Sequence, residues 1–235
     1  MKTLELTPLS GSYATTRDAL HRLAVYVIAP AQRITNGEII LRSSPGGFAT
    51  AMLPDGQIRV DGTDLVAERG GERRRTAITT LNEMAAFIGI EPDVAQQEQF
   101  DVPPHGDLDQ LLQVDAAGVA GLAEWYAFTS ELLESLRAEA APSDNVSPVR
   151  IWPEHFDAAI DLGDQAAGRR GTYGGSPGDG HHDQPYLYVS PWAGRIDDFF
   201  ADPSFKGASL THAEILAGAD PAAFLREARR RIMQR

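Results

Sequence analysis

Residues 38–78 read E-I-I-L-R-S-S-P-G-G-F-A-T-A-M-L-P-D-G-Q-I-R-V-D-G-T-D-L-V-A-E-R-G-G-E-R-R-R-T-A-I. Five short runs in this stretch, 38–42, 48–53, 57–60, 65–68 and 73–78, have the length and the β-branched content of strands. Pro45-Gly46-Gly47, Asp55-Gly56, Asp61-Gly62 and Gly70-Gly71 punctuate them with residues that tolerate the left-handed turns of tight hairpins. The expectation is an antiparallel meander, since connections this short cannot carry a parallel crossover.

Helices flank the meander on both sides. Leu20, Leu23, Ala24, Val27, Ile28 and Ala31 recur at helical spacing, with Thr15 or Thr16 available as an N-terminal cap. Thr80-x-x-Glu83 has the form of a capping box, Leu81, Met84, Ala85 and Ile88 make one apolar face, and Gly89 supplies a stop. Residues 91–107 are polar and Pro-containing, a surface connection and the best boundary between halves. A long helix is expected over 115–140, with Val119, Leu122, Tyr126, Thr129, Leu133 and Leu136 on one face. After Pro142 and Pro148, residues 149–152, 156–162 and 186–190 read as strands. Thr211-x-x-Glu214 and Asp220-Pro221 open two last helices, the second ending in Arg229, Arg230 and Arg231, which complement its dipole.

The fold class that follows is α+β, antiparallel strands covered by helices, in a single compact domain of 235 residues. The order helix, strands, short helix recurs in 1–107 and 108–235 and raises the question of two related halves, although no residue-level repeat is visible.

With 43% hydrophobic residues the chain can bury a substantial core unaided. It contains no Cys, which excludes disulfides, thiolate metal sites and cysteine nucleophiles. A net charge of −12 repels a phosphate backbone and gives no support to nucleic-acid binding. No run approaches the roughly 20 apolar residues of a membrane span, and nothing near Met1 resembles a signal peptide, so a cytoplasmic location is expected. Arg far outnumbers Lys, a balance typical of GC-rich bacterial genomes.

Chemically versatile residues concentrate between Arg150 and Trp192, around R-I-W-P-E-H-F-D and G-T-Y-G-G-S-P-G-D-G-H-H-D-Q-P-Y-L-Y-V-S-P-W. Gly174-Gly175-Ser176-Pro177-Gly178 matches a nucleophile elbow as a string, but Pro177 has no N–H for an oxyanion hole and no helix follows. The glycine run reads instead as a tight turn between strands. His155, Asp157, His181 and His182 are candidate metal ligands. Were His155 and Asp157 on one strand they would share a face, and a loop His could complete a triad of two His and a carboxylate. A divalent metal is thus an option that the sequence does not require. Asp157 and Asp161, four residues apart on a strand, stand about 13 Å apart, too far for a glycosidase pair. Trp152, Tyr173, Tyr186, Tyr188 and Trp192 could line a cleft for a small ligand, with Tyr186 and Tyr188 alternating onto one strand face. His21 sits at the edge of the first helix's apolar stripe.

The order of Thr16 and Leu20-His21, Gly89-Ile90, W-P-E-H-F-D, G-G-S-P-G-D and Q-P-Y-L-Y-V resembles a bacterial domain-of-unknown-function family. Its members carry a Leu-His pair in the first helix, a Trp-Pro strand and a Pro-x-Tyr-x-Tyr strand. The resemblance implies an arrangement and no mechanism, and adds interest to His21, Trp152, His155, Asp157 and Tyr186 as site residues. The functional expectation is a small-molecule-binding or accessory protein with a cleft around residues 150–192. A metal-dependent His/Asp enzyme and a protein-interaction module are the alternatives.

Overall fold

A computed structural model describes residues 6–194 and 197–234. The chain is α+β, with ten antiparallel strands among the described residues. Its contacts define two units. The N-terminal unit comprises Leu9–Ala127 with Ile151–Phe156. The C-terminal unit comprises Phe128–Arg150 and residues 157–194 and 197–234, with residues 6–8. The division falls inside the long helix rather than in the 91–107 connection.

In the N-terminal unit, helix α1 (Tyr13–Leu23) runs through a wider π turn (Ala24–Ile28) into α2 (Ala29–Asn36). Pro30 explains the widening: it cannot donate to the carbonyl of Tyr26 and its ring crowds that carbonyl. Tyr26 O instead accepts from Asp93 N–H at 2.9 Å. Neither Thr15 nor Thr16 caps α1. Ser12 is the capping position, and Thr16 is buried, accepting the Asp115 N–H at 3.1 Å.

The expected meander is present as β1 (Leu41–Ser44), β2 (Gly47–Thr50), β3 (Gly56–Asp61), β4 (Asp64–Arg69) and β5 (Glu72–Ala77). Arg69 opposite Glu72 leaves Gly70 and Gly71 as a two-residue turn, and both have positive φ, 58° and 84°, the conformation a twisted hairpin needs. Helix α3 (Leu81–Ile88) begins where Thr80 Oγ1 accepts from Glu83 N at 3.1 Å and ends at left-handed Gly89. A short helix, α4 (Gln96–Gln99), interrupts the connection. The first part of α5 (Ala116–Ala138) buries Val119, Leu122, Trp125 and Tyr126. Gly118 is required at its start, because a Cβ there would lie 2.5 Å from Thr16 Oγ1. Strand β6 (Arg150–Trp152) pairs with β1 through Ile151 and Leu41.

The C-terminal unit holds β7 (Asp157–Asp164), β8 (Arg169–Ser176), β9 (Tyr186–Pro191) and β10 (Ala208–Thr211), paired in chain order. The glycine-rich segment read as a turn is therefore mostly strand, with Gly174, Gly175 and Ser176 inside β8. Two of its glycines are sites of close approach: a Cβ at Gly174 would lie 2.6 Å from the Tyr188 ring, and one at Gly175 2.6 Å from Thr129 Oγ1. Pairing of Ile160 with Tyr173 and of Tyr173 with Val189 sets these residues on one face. There they bury against Leu133 and Leu136 of α5 and Leu225, Ala228 and Ile232 of α7 (Pro221–Met233). Before α7, the short helix α6 (His212–Leu216) starts with a complete capping box between Thr211 and Glu214. The arginines of α7 have specific partners: Arg229 pairs with the buried Asp144 at 2.7 Å, and Arg230 and Arg231 with Glu227 at 2.6 Å.

Candidate functional site

The alternation that buries Tyr173 sends the intervening residues to the opposite face of β7–β10. Register places Ala159, Gly174, Tyr188 and Ser209 in one row and Ser176 opposite Tyr186 in the next. Asp157 and Asp161 share that face by the two-residue period of β7. This second face is polar and aromatic where the first is apolar.

Tyr188 is its centre. The ring, half-buried, lies over Gly174, and its hydroxyl donates to Oδ2 of Asp157, a carboxylate only 5% exposed. Burial first, then the charges of Asp157 and Asp161, raise the Tyr188 pKa well above its ordinary value, so the phenol remains a donor. Tyr186 donates to Asp179 Oδ2 at 2.6 Å, and it too is raised by burial and by that carboxylate. Burial acts to raise the Asp179 pKa, but the Tyr186 hydroxyl and the His181 and His182 amides outweigh it and hold the carboxyl below the usual range. Those amides donate at 2.8 and 2.9 Å, which makes Asp179 the organiser of the 179–182 turn. The His182 ring lies 4.3 Å from that of Tyr186, with Nε2 3.7 Å from Asp202 Oδ2. Phe205 completes the cluster, 6.1 Å from Tyr188 and 6.5 Å from Tyr186.

At another place on this face the Trp192 indole donates to Thr172 Oγ1 at 2.9 Å, and Thr172 donates to Asp161 Oδ1 at 2.8 Å. The Arg170 guanidinium lies 4.9 Å over the Trp192 ring. Trp192 remains 47% exposed, so it presents a ring face to solvent.

Of the residues expected to line one cleft, Asp157, Tyr186 and Tyr188 come together, and Trp192 lies on the same strand face through Thr172. Tyr173 does not join them. It is 1% exposed in the apolar core on the helix side, as its register partner Val189 requires.

His21, Trp152 and His155 belong to the N-terminal unit, where they form a different arrangement. His155 is exposed in the turn before β7 and not on a strand, so the condition under which His155 and Asp157 would share a strand face is not met. Phe156 ends this turn with φ of 56°, a left-handed conformation rare for a side chain of its size. Its ring stacks on His21 at 4.8 Å and meets Phe48 and Tyr126 edge to face, while its carbonyl accepts from the Tyr126 hydroxyl at 2.7 Å. His21 Nε2 lies 2.9 Å from the Pro153 carbonyl, which fixes the proton on that nitrogen. Burial lowers the His21 pKa to about 4 against the pull of that hydrogen bond, so the ring is neutral near pH 7. His21 of the first helix thus clamps the Trp-Pro-x-His-Phe turn. Trp152 is half-buried at the turn's start.

Among the described residues no group of three or more His, Asp or Glu could hold a metal. His155, Asp157, His181 and His182 therefore do not form the ligand set considered from the sequence. No helix among the described residues is long and apolar enough to cross a membrane. Comparison of the chain with protein-family models, with curated proteins and with solved structures returns no match.

Proposed function

We propose that the protein binds a small molecule on the polar, aromatic face of β7–β10. The observation that carries this reading is the asymmetry of that strand layer. One face is buried by α5 and α7, whereas the other carries a buried carboxylate, Asp157, bonded to a half-buried phenol, Tyr188. Polar groups set among ring faces provide orientation and apolar contact together, the composition of small-molecule sites. Trp192, exposed and held by Thr172, would add a further ring for stacking.

A thermal-shift screen of small polar and charged molecules tests it. Binding raises the melting temperature of the wild-type chain by mass action. The same compounds should leave a folded Tyr188→Leu variant unmoved. Equal shifts in both proteins would place binding elsewhere and overturn the reading.

A further inference from the structure

Resting on the ligand-binding reading above, we propose that the corner formed by Tyr188, Tyr186 and Phe205 receives an organic cation, a substituted ammonium group. Tyr188 forms the floor of this corner, because one side of its ring is spent on Gly174, where a Cβ would come within 2.6 Å of Cε1 and Cζ. Phe205 stands almost perpendicular to it, at 85° and 6.1 Å between centroids, and Tyr186 is inclined at 52° and 6.2 Å. With the third side, Tyr186 to Phe205, at 6.5 Å, a single ion above the triangle can stay within about 6 Å of all three centroids, the range of cation–π attraction.

Charge complementarity selects the cation. Both phenols donate to carboxylates, Tyr188 to Asp157 and Tyr186 to Asp179. Each such bond draws negative charge onto the ring and uses the hydroxyl that would otherwise meet an anion. Asp202 adds a carboxylate whose side chain is 1% exposed and which takes a hydrogen bond from Ser209. Carboxylates therefore border the aromatic surface at its phenol edges. A primary amine or guanidinium seeks direct hydrogen bonds to such oxygens. An alkylated ammonium needs ring faces to contact and negative charge nearby, and this corner provides both.

Titration of the full chain with tetramethylammonium chloride, at constant ionic strength and with ring signals of Tyr186, Tyr188 and Phe205 followed by NMR, tests the proposal. Tert-butanol, of similar shape and no charge, is the control, and sorbitol is a neutral polyol probe. The expected result is saturable movement of these signals with tetramethylammonium and none with tert-butanol. Affinity should fall about tenfold in Phe205→Leu, which removes a half-exposed ring, and less in Tyr188→Phe, which keeps the ring and loses the bond to Asp157. Equal response to tert-butanol, or no response to tetramethylammonium, overturns the cation. If sorbitol alone moves the rings, the ligand-binding face survives without the cation. Silence with all three probes, together with a blank thermal-shift screen, removes both.

Discussion

Tyr188 donates its hydroxyl to Asp157 two strands away in the layer, and its ring can do so only because position 174 of the strand between them is glycine. A buried carboxylate, a phenol and a missing side chain thus form one device. Its parts should respond together.

Gly174→Ala brings a methyl into the Tyr188 ring and should destabilise the chain by about 1–3 kcal/mol, the cost of overpacking. In the double variant Gly174→Ala/Tyr188→Leu much of that loss should be recovered. Urea denaturation of the four proteins in the cycle measures the coupling, which for groups in direct contact is roughly 0.5–3 kcal/mol. Strict additivity would mean that the ring does not rest on Gly174.

On the helix side, Thr129 Oγ1 is fully buried and has no hydrogen-bond partner among the described residues, while Gly175 makes room for its side chain. Thr129→Val keeps the shape and removes an unsatisfied hydroxyl, so stability should rise by about 1 kcal/mol. A fall of similar size would show that the hydroxyl is bonded.

Acid should weaken the clamp at Phe156. The His21 pKa is lowered from 6.5 unfolded to about 4 folded, so between these values the unfolded chain binds more protons. Its contribution is complete above pH 6.5 and is lost progressively as pH falls towards 4. Because the ring is half-buried, the loss should be roughly 1–2 kcal/mol, below the full value of the shift. Denaturation midpoints between pH 4 and 7.5 check this, and His21→Phe should flatten the slope in this window. An unchanged slope in that variant would assign the pH dependence to other groups.

Arg229 and Arg226 separate a covered ion pair from a surface one. Asp144, with its side chain 8% exposed, accepts from both Arg229 and the Ala141 amide, so Arg229→Met should cost about 2 kcal/mol by leaving that carboxylate without its cation. Arg226, paired with Glu139 in solvent, should be replaceable by Met with no measurable change. Melting temperatures of the two variants decide between them, and equal shifts would contradict the distinction.

Much of this architecture is legible in the sequence because it is periodic or capped. The meander of β1–β5, the apolar face of α5, the N-cap at Thr80 and the capping box at Thr211 all appear close to where the residues place them, although the Glu83 carboxylate bonds Thr79 and so leaves the Thr80 box half-formed. The alternation that sets Tyr186 and Tyr188 on one face also holds, since both meet the Phe205 ring. Strand β8 was hidden by its glycines, which lower strand propensity and are there for close packing by Tyr188 and Thr129. Its period-two pattern, Thr172, Gly174 and Ser176 against Gly171, Tyr173 and Gly175, was the available signal. The face of Tyr173 is illegible for the same reason, since it follows only once β8 is a strand. Phe205 and Asp202 give no signal in the sequence, because the 193–207 stretch has no periodicity and these two residues reach the site only through tertiary structure. The sequence places Phe156 at the start of a strand, whereas aromatic packing holds it in a left-handed turn.

The central claim is that the face centred on Tyr188 meets a ligand. The most direct test follows ring-labelled tyrosines by NMR while a library of small polar and charged molecules is added to the full chain. Saturable shifts at Tyr186 and Tyr188 with at least one compound, absent in a folded Tyr188→Leu variant at Tyr186, are the expected result. Compounds that bind while leaving both rings unmoved would contradict it.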